Sequence, residues 1–154
     1  MEKIKTHHID FNLISKGLNL PVEDCIDFFD DGRIIGRYGE YVIKNHLGGE
    51  KTKENESYDV KHLCEKLEIR CITDKLSFAS SKEVGYGRSV TKEGFEEKLR
   101  NIDSYVVIDK RDVNNLNFFK ITKEEVIKLE DSSLLGKNKS ISSKKIYKLL
   151  YGDK

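Results

Sequence analysis

Residues 67–71, Leu-Glu-Ile-Arg-Cys, alternate apolar and polar side chains with a period of two. That spacing predicts a strand with Leu67, Ile69 and Cys71 on one face and Glu68 and Arg70 on the other. A second strand over 58–63, joined to it by a tight turn at Cys64–Lys66, completes a hairpin and brings Asp59 near Glu68. Just upstream the period changes to that of a helix. In 33–47, Ile35, Tyr38, Val42 and His46 form one stripe, broadened by Ile34, Tyr41 and Ile43, and Gly48-Gly49 ends it.

The remaining pattern is less regular. Two short helices are expected at 9–17 and at 21–29, the second with Pro21 in its first turn and Glu23 and Asp24 at its positive end. The pair invites a helix-turn-helix reading, but the second segment is acidic and repels phosphate. Residues 73–89 read as a long loop rich in Ser and Gly. Thr91 caps a helix over 92–101. Residues 104–109 read as a buried strand and 117–121 as another. Thr122-Lys-Glu-Glu125 matches a capping box for a helix to about Glu130. A basic linker over 134–143 precedes a short helix at 144–151 with Ile146, Leu149 and Leu150 on its apolar side. The order predicts an α/β (α+β) fold, with a central mixed sheet of about four or five strands flanked by helices. One domain over 1–154 is expected, with an N-terminal helical segment at 1–32, a core at 33–130 and a basic extension at 131–154.

Composition narrows the function classes. The 154 residues are 37% hydrophobic and 36% charged, with net charge +1, so no global charge argument favours nucleic acid or membrane. The charge is uneven: up to Glu56 there are 11 acidic and 8 basic side chains, and from Asp131 onward 6 lysines against 2 aspartates. That distribution is compatible with a nucleic-acid partner contacted at one end. Cys25, Cys64 and Cys71 lack CxxC spacing and are odd in number, which predicts reduced thiols in a cytoplasmic protein rather than a disulfide framework or a cysteine zinc site. No apolar run approaches the roughly 18 residues of a membrane span. No HExxH, GxGxxG or P-loop pattern is present. His7-His8 reads as an exposed terminal pair, His46 as packing at a helix end and His62 as structural.

The chemistry-bearing group is the hairpin. Two carboxylates, Asp59 and Glu68, with a cation, Arg70, suit a divalent metal and a phosphate. They also suit an ordinary exposed hairpin. Phosphodiester hydrolysis needs a nucleophilic water, a Lewis acid and a cation near the charge developing on phosphorus.

The order of Gly36-Arg-Tyr-Gly-Glu40-Tyr-Val-Ile on a helix, Tyr58-Asp59-Val, Leu67-Glu68-Ile-Arg70, then a helix and two strands resembles the PD-(D/E)XK nuclease superfamily, within it most of all a type II restriction endonuclease. The resemblance covers roughly residues 33–122. It implies a restriction-endonuclease-like core and a Mg²⁺-dependent endonuclease that hydrolyses DNA. Asp59 and Glu68 would hold the metal with the backbone carbonyl of Ile69, and Glu40 would touch the metal or its water. The sequence departs from the family in two places. Tyr58 stands where a proline precedes the aspartate, and Arg70 stands where the family usually has lysine. Arginine stays protonated and is no base, so Arg70's part would be electrostatic and positional. Removing the proton would fall to a metal-bound hydroxide or a substrate phosphate oxygen, or Lys82 from the long loop would supply an ammonium. Lys75, Lys82 and Arg88 in that loop are the candidate DNA contacts. Cutting both strands of a duplex predicts a homodimer or a partner subunit. The alternatives are a non-catalytic DNA-binding or interaction subunit on the same core, and a small helical regulator centred on 9–46.

Overall fold

The computed structural model describes residues 1–53, 56–79 and 90–152. Its largest element is a mixed sheet built of β1 (Glu2–His8), β2 (Glu50–Lys51), β3 (Val60–His62), β4 (Glu65–Cys71), β6 (Ser104–Asp109) and β7 (Asn115–Thr122), in the order β1-β7-β6-β4-β3-β2. β4 and β6 are parallel, with Glu68 opposite Tyr105 and Arg70 opposite Val107; the other neighbours are antiparallel. A parallel pair needs a crossover, and α4 (Lys92–Asn101) lies in the chain between the two strands. A second sheet pairs β5 (Lys75–Ser77) with β8 (Ser140–Ser142).

The α/β class expected from the pattern is present, but the strand count differs. The main sheet has six strands rather than four or five, and two more lie outside it. The additional strands are those that a period cannot reveal. β2 has two residues and β5 and β8 three each. β1 carries Ile4 as its one aliphatic residue and runs along the sheet edge on β7. Charged residues on an edge strand guard it against pairing with other chains, and they also hide it from a hydrophobicity reading. His7, expected at an exposed terminus, is half-buried on this strand, with Nε2 2.7 Å from the Tyr38 hydroxyl.

Both faces of the sheet are covered. One face, with Leu67, Ile69, Val106, Ile108 and Phe118, packs under α3 (Gly32–Leu47) through Ile35, Val42 and Ile43, joined by α1 (Phe11–Leu18) and α2 (Val22–Phe29). Asp31 caps α3 by accepting from the Arg33 amide at 2.7 Å, and Gly48 ends it with φ 68°. Gly39 lets the helix approach closely, since a Cβ there would stand 2.3 Å from Ile108 Cδ1. His46, placed on this stripe by spacing, is exposed instead; the buried positions are Ile35, Gly39, Val42 and Ile43. The opposite face, with Tyr105, Val107 and Ile121, packs under α4, α5 (Lys123–Asp131) and α6 (Ser143–Tyr151) through Phe95, Leu99, Val126, Leu129 and Ile146. Thr122 and Glu125 form the expected capping box, each bonding the other's backbone N–H.

Candidate functional site

The alternation of β4 assigns its residues to the two faces as the period of two requires. Leu67 and Ile69 enter the core under α3, while Glu68 and Arg70 point to the α4 side. That side is not an open hairpin face. β4 is an interior strand, flanked by β3 and β6, and Glu68 is only 5% exposed. The turn of the hairpin falls at Leu63–Cys64, with Leu63 in the left-handed region at φ 53°.

A buried carboxylate requires partners, because an unpaired charge in a low-dielectric interior costs several kcal/mol. Glu68 has two. Its Oε1 is 2.7 Å from Arg70 Nη2, and its Oε2 is 2.6 Å from Lys98 Nζ. Lys98 also donates to the Ser57 carbonyl at 2.6 Å, and Arg70 Nη2 to the Ala79 carbonyl at 3.1 Å. Arg70 Nε is buried and has no partner among the described residues. Beneath the pair, Tyr105 donates to the Phe78 carbonyl at 2.6 Å, and burial pushes its phenol up.

Asp59 stands immediately before β3. Its amide donates to the Leu67 carbonyl at 2.9 Å, which extends the β3–β4 pairing by one step. Its Oδ2 accepts from the Ile69 amide at 2.7 Å, so the carboxylate is turned toward β4 beside Glu68. Burial pushes the Glu68 carboxyl above the usual carboxylate range. The Arg70 charge pulls it down, the Asp59 charge pushes it further up, and Lys98 pulls it down. Two carboxylates and two cations thus share one corner between β3, β4 and α4, with Glu68 and Lys98 buried and Asp59 and Arg70 half-buried.

The other sequence-derived residues are distributed differently. Glu40, on α3, pairs with Lys51 of β2 at 2.9 Å. Among the described residues no group of three His, Cys, Asp or Glu side chains is gathered as a metal cluster, so Glu40 is not joined to Asp59 and Glu68 in one. Lys75 is exposed at the first position of β5. Lys82 and Arg88 lie outside the described residues.

Lys98 is the residue that the sequence reading passed over. Its signal was present: Phe95, Lys98, Leu99 and Ile102 share a helical stripe, and a lysine in the apolar row of a short helix is either snorkelling or paired. Here it is paired and 8% exposed. The partner could not be named without knowing that α4 crosses over β4. No helix among the described residues is long and apolar enough to cross a membrane. No family model, curated protein or solved structure matches this chain.

Proposed function

We propose that this protein is a Mg²⁺-dependent endonuclease that hydrolyses DNA phosphodiester bonds at the Asp59–Glu68 corner, on a restriction-endonuclease-like core, as a site-specific type II restriction enzyme would. The observation that carries the reading is the juxtaposition of Asp59 and Glu68 with Arg70 and Lys98 in one corner of the sheet. The order of elements bearing the motif supports it: helix α3, then the Asp59 segment, then β4, then helix α4 followed by β6 and β7.

The donor set fits a hard divalent ion. Two adjacent carboxylates supply oxygens of the kind Mg²⁺ takes, and Mg²⁺ needs only one or two from a protein. Asp59 and Glu68 would hold it, with the Ile69 carbonyl as a further donor and Glu40 reaching it through water. Such an ion, when bound, supplies Lewis acidity toward the scissile phosphate. The rest is the work of the chain. Arg70, fixed by Glu68 and Ala79, presents a guanidinium to a phosphate oxygen and stabilises charge developing on phosphorus. Lys75, exposed at the start of β5, with Lys82 and Arg88 from the sequence that follows, would neutralise DNA phosphates. A homodimer, or a partner subunit, would align two such corners with the two strands.

The test is cleavage of supercoiled plasmid by the purified chain with and without Mg²⁺. Metal-dependent nicking or linearisation is expected, lost in Asp59→Ala and Glu68→Ala. A wild-type protein that neither binds Mg²⁺ nor cuts plasmid, linear or branched DNA overturns the reading.

One observation favours a second reading. Both Glu68 oxygens already have a cation, so the corner is a closed ion-pair network as it stands. A non-catalytic DNA-binding subunit on the same core would keep such a network for structure alone. DNA binding without cleavage, unchanged by Asp59→Ala, would establish that alternative.

A further inference from the structure

Lys98 is the most deeply buried cation in the corner, and its geometry is unusual in a useful way. The ammonium bridges two segments. One contact is Glu68 Oε2 on β4, and the other is the Ser57 carbonyl, two residues before Asp59. An ammonium has three N–H donors, and these contacts use two. The stem is held by α4, whose N-terminus is capped by Thr91 and whose neighbouring Phe95 and Leu99 are in the core. The head sits on one of the two Glu68 oxygens, so a metal held by Glu68 would compete with it for that carboxylate.

We propose that Lys98 occupies the cation position of this corner in the metal-free protein and, when a divalent ion takes Glu68, keeps its Ser57 anchor and turns the released N–H to the attacking water. The inference rests on the nuclease reading above, and it moves the usual lysine's task from the β4 position, held by Arg70, to α4. Lys98 remains an ammonium throughout. The water oxygen forms the new bond to phosphorus while the bond to the leaving ester oxygen breaks and that oxygen keeps the electron pair. The water's proton passes to a phosphate oxygen and then to solvent, and the leaving oxygen takes a proton from solvent. Lys98 contributes orientation and positive charge, and no proton is lost from it.

A purely structural lysine and this one differ in what their removal does to metal affinity. Losing a structural support loosens the site and weakens the ion. Losing a competitor strengthens it. In Lys98→Met, which retains the apolar stem, Mg²⁺ affinity of the full chain without DNA, measured by titration calorimetry, is expected to rise by about tenfold or more, the scale of one hydrogen bond to a charged group. Turnover on plasmid is expected to fall by about 10²-fold with KM little changed, and Lys98→Arg is expected to return part of it. Lower or unchanged Mg²⁺ affinity in Lys98→Met overturns the proposal. So does undiminished turnover. If the wild type neither binds Mg²⁺ nor cuts, the nuclease reading falls first, and that result is distinct from a wild type that cuts and a Lys98→Met that cuts as well. Where the variant does not fold, the lysine ammonium signals of the wild type decide. The Lys98 resonance is expected to shift when Mg²⁺ is added, and a Lys98 resonance unmoved at saturating Mg²⁺ overturns the proposal.

Discussion

The phenol of Tyr151, on the last turn of α6, donates to Oδ2 of Asp109, the last residue of β6, at 2.5 Å. Asp109 is 2% exposed, and Arg111 donates to the same Oδ2 from Nη2 at 2.7 Å and to Oδ1 from Nε at 3.1 Å. The guanidinium in turn lies over the Tyr147 ring at 3.9 Å and the Tyr151 ring at 4.8 Å. A buried carboxylate thus fastens the C-terminal helix to the sheet. Tyr151→Phe removes a hydrogen bond to a charged group and leaves the ring contacts, so a loss of about 1.5–3 kcal/mol is expected in urea unfolding. A midpoint equal to that of the wild type would mean that α6 is held by its apolar face alone.

The same carboxylate sets a pH dependence. Burial raises the Asp109 carboxyl, but hydrogen bonds from Arg111 and Tyr151 outweigh it and leave it below its ordinary value near 3.8. A lowered carboxyl contributes stability that is complete above the ordinary value and is lost as pH falls through the folded one. The gap in melting temperature between the wild type and Asp109→Asn is therefore expected to be constant from neutral pH down to about pH 5. It should narrow only below the ordinary carboxylate value. A gap that closes between pH 7 and 5 would contradict this assignment.

Much of this was legible in the chain and some was not, for identifiable reasons. The long helix, the α4 to α6 helices, and β4, β6 and β7 follow from period and caps, since Ile35 to Ile43, the Thr122–Glu125 box and the run at 104–109 are strong local signals. The face assignment of Glu68 and Arg70 follows from alternation alone. What alternation cannot tell is whether a polar face meets water. Glu68 reads as a surface charge, yet α4 covers it, because the burial of a strand face is decided by an element 30 residues away in sequence. β1 hides behind its lysines and histidines, and β5 and β8 are too short to show a period.

The Glu68–Lys98 contact makes a stability prediction that holds whether or not the corner is catalytic. Glu68→Gln strands an ammonium that is 8% exposed, and breaking one side of a buried pair costs about 3–5 kcal/mol. Lys98→Met leaves Glu68 with Arg70 and is expected to cost less. The double variant Glu68→Gln/Lys98→Met should lie closer to the wild type than the sum of the two, as residues in one ion-pair network couple. Strict additivity in denaturant unfolding would show that the 2.6 Å contact carries no net energy.

The three thiols provide a direct check on burial on the α3 side of the sheet. Cys64 is exposed at the β3–β4 turn, Cys25 on α2 is 1% exposed, and Cys71 is half-buried at the end of β4. The reactive species is the thiolate. Burial pushes the Cys71 thiol up to about 12, with the nearby Lys110 charge working against the shift, so almost none of it is thiolate at pH 8. A disulfide reagent at that pH should therefore label Cys64 in a fast phase and Cys71 and Cys25 only with unfolding. Cys64→Ser is expected to abolish the fast phase, which ties the fast phase to the β3–β4 turn. Mg²⁺ added to the wild type should then slow the two remaining thiols if the ion binds the folded state, because ligand binding suppresses the opening through which they react. Rapid labelling of Cys71 in the native protein would show that the end of β4 opens without global unfolding.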